Sequence, residues 1–185
     1  MSDAAEHANE TLTADEFREK YGGPTADQAT VELGEEYRTV IAVDPGVTTG
    51  VAAILPHDEN VAVRAYAEDF WTVYHRTISQ DPSDTLLVVE APYKTGVTHQ
   101  RLIAGQKRLS AQLKIAQNAG SVQREAELLV EGLRKLGYDV LEHEPSTSKK
   151  WDHEGLEGLI GEWNGPSNEH TRDALMMLVA YGFLP

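Results

Sequence analysis

Four side chains from distant parts of the chain could act together: Asp44, Glu90, His170 and Asp173. Three are carboxylates, and closely placed carboxylates raise one another's pKa unless a cation joins them. Their hard oxygen donors suit Mg²⁺ or Mn²⁺. Two such ions about 3.5–4 Å apart can activate water and stabilise the leaving oxygen of a phosphodiester. Each residue also has a plainer reading. Asp44 before Pro45-Gly46 could simply cap a turn, and Asp173 near a helix start suits the helix dipole. The weight lies in the set.

The elements around these residues favour the joint reading. Val40 to Val43 is an apolar, β-branched run of the kind found in a strand covered on both faces, and Asp44 ends it. Thr85 to Val89 repeats the design and ends in Glu90, with Pro92 close behind. If the two strands lie side by side, both carboxylates emerge at one sheet edge, where open α/β sheets bind ligands. His170 and Asp173 stand three apart, on one face of a helix that Asn168 caps and that runs over about 169–183. Leu175, Met176, Leu178 and Val179 form its opposite, apolar face.

The remaining elements follow from spacing and breakers. Strands are expected at about 38–44, 50–56 and 60–68, as a meander, with a further one at 138–141. Phe70, Val73, Tyr74 and Ile78 give a helix within 69–80. Two more are read at 98–118 and 121–136, the second with Ser121 as N-cap and Gly137 as C-cap. Glu142 to Lys150 reads as a polar loop and 153–163 as a weak helix. Residues 1–37 form an acidic N-terminal extension outside the folded domain, 38–185. Within the extension Thr13 and Glu16 make a capping box, and Leu12 and Phe17 a hydrophobic staple. That short helix could dock on its own domain or on another protein, or simply lie in a loose extension.

Charge divides the chain unevenly. The net charge is −14, of which residues 1–37 carry −8. This argues against indiscriminate nucleic-acid binding by overall field, and it also suits a salt-adapted host. Yet Ala91 to Arg124, 34 residues, contains no acid and holds six of the sixteen Lys and Arg residues. They are Lys94, Arg101, Lys107, Arg108, Lys114 and Arg124. A basic surface beside Glu90 can contact phosphates, and Tyr93 could stack on an unpaired base. The plainer reading is a solvated helix face. Lys149 and Lys150, beside Trp151, form a smaller basic spot from which either lysine could reach a scissile phosphate. With no cysteine, disulfides and thiolate metal sites are excluded. The polar N-terminus does not read as a signal peptide, and no apolar run approaches the roughly 20 residues of a membrane span. A cytoplasmic location is expected.

Three segments resemble the motifs of the RuvC-type Holliday-junction resolvases of the RNase H-like superfamily, in a divergent, phage-like version. Ile41-Ala-Val-Asp-Pro-Gly-Val-Thr-Thr-Gly50 is similar to the first motif. Val88-Val-Glu-Ala-Pro-Tyr93 is similar to the second, with Tyr93 in the place of its aromatic. His170-Thr-Arg-Asp-Ala-Leu175 is similar to the third. The resemblance covers about residues 38–183. It implies an α/β, RNase H-like fold whose central mixed five-stranded sheet has order 3-2-1-4-5 and is flanked by helices. It implies a two-metal endonuclease that cuts branched DNA, Holliday junctions first and flaps or forks besides, with Asp44, Glu90, His170 and Asp173 as metal ligands. A homodimer and a host-cell cytoplasmic location go with it. Lys94, Arg101, Lys107, Arg108, Lys114, Lys149, Lys150 and Tyr93 would contact the DNA. The acidic surface and the lack of an identifiable dimerising helix pair depart from the family pattern.

Other functions fit parts of the pattern. A D-x-G-x-T loop also opens sugar-kinase and actin-like ATPase folds, but those need two such domains around the nucleotide. A ribonuclease of the same superfamily acting on structured RNA, or a non-catalytic nucleic-acid-binding protein, would share many of the features.

Overall fold

The computed structural model describes residues 37–57, 60–94, 109–145 and 150–184. The acidic extension and the capped helix expected in it lie outside the described residues, as do 98–108 of the next expected helix, with Arg101, Lys107 and Arg108, and Lys149.

Strand β1 (Thr39–Asp44), β2 (Thr49–His57) and β3 (Asn60–Glu68) form the expected antiparallel meander. Helix α1 (Phe70–Thr77) then leads to β4 (Thr85–Glu90), which lies parallel to β1. A 3-10 turn at Pro92–Lys94 follows. Helix α2 (Leu109–Lys135) leads into β5 (Asp139–His143), parallel to β4. Helices α3 (His153–Ile160) and α4 (Glu169–Ala180) complete the described chain. The fold is α/β: one mixed five-stranded sheet in the order β3-β2-β1-β4-β5, flanked by helices.

All six residues of β1 are buried because helices cover both faces of the sheet. Val40 and Ala42 face α3 and α4, packing with Leu156, Ala174, Leu175 and Leu178. Ile41 and Val43 face α1 and α2, packing with Val73, Leu129, Val130 and Leu133. This explains the unbroken apolar run: a strand covered on both faces has no polar side to alternate with. Each fully buried leucine in these layers contributes about 1.5–3 kcal/mol.

One expectation is corrected. The chain does not break at Gly120-Ser121; a single helix runs from Leu109 to Lys135, and Ser121 lies inside it. In the sequence, Ile115, Val122 and Leu129 stand seven apart, so the apolar pattern stays in phase across the glycine. A serine N-cap requires the chain to leave helical geometry, and here it does not. Gly137 ends the helix as expected, with φ of 91°. Beyond it, β5 extends to His143, two residues further than the spacing predicts. The last helix stops at Ala180.

The long helix reaches past the sheet. Because β4 and β5 are parallel, α2 must run back from the C-terminal edge of β4 to the N-terminal end of β5. Gln123 Nε2 donates to the carbonyl of Pro92 at 3.3 Å, level with the end of β4. Among the residues of this helix whose burial is described, Ala126 is the first buried one. Residues 109–122 span about 21 Å of helix before Gln123, at 1.5 Å per residue.

Candidate active site

Asp44 ends β1 with only 4% of its surface exposed. Val43 pairs with Val89, so Asp44 and Glu90 leave neighbouring strands at the same level. Both point to the α4 face, by alternation from Ala42 and Val88. Glu90 is in register with His143 of β5, which brings His143 onto the same face as the next member of the row.

Helix α4 brings the other residues to this edge. Its N-terminus is set by a capping box: Asn168 Oδ1 accepts from the Thr171 amide at 2.9 Å, and Thr171 Oγ1 accepts from the Asn168 amide at 3.0 Å. The helix packs directly on Gly50, the register partner of Asp44. A Cβ at Gly50 would lie 2.2 Å from the backbone carbon of His170, and one at Gly46 would lie 2.9 Å from its Cε1. The two glycines of the first motif thus make the bed in which His170 rests.

His170 Nδ1 lies 2.7 Å from Asp44 Oδ2. This bond raises the imidazole pKa, against the effect of burial. Asp173, one turn further, is 17% exposed and bonds to the ammonium of Lys150. The same Lys150 Nζ lies 2.6 Å from Glu169 Oε1. Lys150 is held there by its neighbour: the Trp151 carbonyl accepts from Arg172 Nε at 3.1 Å, and Arg172 Nη1 reaches the Ser167 carbonyl at 2.8 Å.

Four carboxylates thus gather with one ammonium and one imidazole. Burial, then the charge and hydrogen bonding of Asp44, push Glu90 up to about 9. Burial also raises Asp173, while Lys150 offsets part of that rise. The Lys150 bond holds Glu169 below its ordinary value. Among the described residues no three His, Asp or Glu groups stand in a ready metal-holding arrangement. Lys150 is bonded to Glu169 and Asp173, and His170 to Asp44. The donor chemistry nevertheless suits a hard divalent cation. Asp44, Glu90 and Asp173 supply oxygens, and burial together with Asp44 disfavours the charge on Glu90.

All four residues expected to act together, Asp44, Glu90, His170 and Asp173, therefore come to one edge, and Lys150 joins them. Tyr93 and Lys94, in the turn directly after Glu90, bond on the other side of the sheet. The Tyr93 hydroxyl donates to Glu142 Oε2 at 2.8 Å, Lys94 Nζ pairs with the same oxygen at 2.9 Å, and Arg134 Nη1 meets Oε1 at 2.6 Å. This cluster lies on the α2 face and clamps the turn after Glu90 to β5 and α2. Lys114 is exposed on the projecting part of α2. Arg124 pairs with Glu127 at 2.5 Å.

Three participants escape a reading of the sequence: Glu169, Arg172 and His143. Glu169 carries a usable signal, since an acid four residues before Asp173 lies one helical turn away. Arg172 acts only through a loop carbonyl and leaves no trace in spacing. His143 falls in what reads as a polar loop. It stands edge-on to Tyr181 at 5.7 Å, and burial lowers its pKa to about 4. No helix among the described residues is long and apolar enough to cross a membrane. Comparison with known proteins finds no matching family model and no significantly similar curated sequence.

Proposed function

We propose that this chain is a metal-dependent endonuclease for branched DNA, of the RuvC type within the RNase H-like superfamily. The observation that carries this reading is the convergence of Asp44, Glu90 and Asp173, with His170, at the C-terminal edge of β1 and β4. The sheet order and the meander agree with that superfamily.

In this reading Asp44, Glu90, Asp173 and His170 would hold two Mg²⁺ or Mn²⁺ ions. When bound, such ions supply an activated water and charge neutralisation at the departing oxygen. The chain's own residues do the rest. Asp44 is almost wholly buried, so its carboxylate is fixed in direction and shielded from bulk water. His170 Nδ1 orients one oxygen of Asp44. Gly46 and Gly50 keep that imidazole pressed to the strand end.

The substrate side is supplied by α2. Its acid-free part projects from the edge that carries the carboxylates, and its first acid is Glu125. Lys114 stands about 13 Å beyond Gln123 along the helix. A basic arm rising beside the site would bind the phosphates of an arm of the DNA while the strand to be cut lies across the sheet edge. The acidity elsewhere disfavours binding on other faces. Paired nicks on a four-way junction would require two sites, hence a homodimer.

The test is a panel of labelled four-way junction, flap, linear duplex and RNA–DNA hybrid, each incubated with the full-length chain and Mg²⁺. Cleavage of the branched DNAs with the linear duplex left intact is the expected result. Cutting of the hybrid alone would reassign the site to a ribonuclease, and cutting of none would overturn the proposal.

A further inference from the structure

The lysine inside the carboxylate cluster has no part in the ligand set above. Lys150 Nζ lies 2.6 Å from Glu169 Oε1 and bonds also to Asp173 Oδ2. It is therefore the cation that faces Asp173 and Glu169 within the cluster. We propose that Lys150 competes with a divalent ion for Asp173, setting the metal concentration at which the site loads. This rests on the reading of the cluster as a metal site.

Three observations support it. First, an Asp173 oxygen that accepts from an ammonium presents its lone pairs and its charge to that group, and a metal ion approaching the same oxygen meets a like charge. Second, the exchange is mechanically easy. The Lys150 side chain is 49% exposed, whereas Asp173 is 17% exposed. The ammonium can swing into solvent without disturbing the core, while the carboxylate stays. Third, the tether fixes the backbone and leaves the side chain free. Arg172 grips the carbonyl of Trp151, one residue on, and so keeps Lys150 within reach of both acids. Glu169, 61% exposed at the rim, provides the second contact and can keep the lysine after Asp173 lets go.

The competition has a defined signature. Removing the ammonium tightens metal binding and weakens the metal-free fold, whereas a purely structural ion pair changes only the second. The experiment is Mn²⁺ binding by isothermal titration and by loss of the free-ion paramagnetic signal, on full-length wild type, Lys150→Met and Lys150→Arg. Lys150→Met is expected to bind Mn²⁺ about tenfold more tightly, the scale of one charge-assisted hydrogen bond. Lys150→Arg should stay close to wild type. Equal or weaker binding by Lys150→Met would overturn the competition and leave the metal site standing. Absence of Mn²⁺ binding in both wild type and Lys150→Met would overturn the metal reading itself. A second measurement uses wild type alone: acylation of Lys150 by an amine reagent, followed by peptide mass spectrometry, should speed up as Mn²⁺ is added. Unchanged labelling across a titration that saturates the site would also overturn the competition.

Discussion

Replacing Glu90 by glutamine should change how the stability of the metal-free protein depends on pH. Glu90 holds its proton up to about pH 9, against an ordinary value of 4.5, because burial and Asp44 disfavour its charge. The folded state therefore binds this proton more tightly than the unfolded chain. Its contribution is fully present below pH 4.5 and is lost as pH rises toward about 9. Each pH unit in that window costs about 1.4 kcal/mol per proton, so raising the pH from about 7 to about 8.5 should remove about 2 kcal/mol. His143 does not interfere, because it contributes alike in wild type and mutant. His170 titrates with the same sign, since its folded pKa is also raised. Its part appears in both proteins and drops out of the comparison. The assay is urea unfolding of wild type and Glu90→Gln in EDTA at several pH values. Wild type should lose about 2 kcal/mol more than Glu90→Gln over this range. Mg²⁺ should flatten the wild-type curve by taking the place of the proton. Parallel wild-type and mutant curves would refute the raised pKa of Glu90.

Two further substitutions probe the supports of the site. Gly50→Ala would place a carbon 2.2 Å from the His170 backbone, forcing α4 off β2; a loss of about 3 kcal/mol or more in a denaturant midpoint is expected. Glu142→Gln should cost about 1–2 kcal/mol by weakening the Tyr93, Lys94 and Arg134 clamp. Burial opposes the Glu142 charge, but the clamp lowers its pKa to about 2, so its stabilisation is present above pH 4.5 and lost as pH falls toward 2. The mutant's acid-unfolding profile should be shallower there.

The strands and their terminal acids are legible in the sequence for a physical reason. A strand covered on both faces must be uniformly apolar, so a carboxylate at its end stands out, as at Asp44 and Glu90. His170 and Asp173 are legible because helical spacing aligns them opposite an apolar face. The unbroken helix at Gly120-Ser121 is not legible, since a local capping signal competes there with an apolar pattern that stays in phase. Lys150 is half legible. The pair Lys149-Lys150 is visible as a basic spot, but only the fold brings Lys150 to Asp173 and Glu169. Tyr93 reads as a base-stacking residue by its position after Glu90. That its hydroxyl meets Glu142, which the pleat turns to the other side of the sheet, is visible only in the fold. The acid-free run is plain in the sequence, but that part of it projects from the carboxylate edge follows only from the parallel pairing of β4 and β5.

The most direct measurement is Mg²⁺-dependent nicking of a labelled four-way junction by wild type and by Asp44→Asn, with equal folding of the two checked by circular dichroism. Cleavage by wild type that rises with Mg²⁺, vanishes in EDTA and falls at least 100-fold in the mutant, the scale of losing a positioned catalytic group, is the predicted result. Equal cleavage by the mutant, or cleavage that persists in EDTA, would contradict the assignment of Asp44 as the central metal ligand.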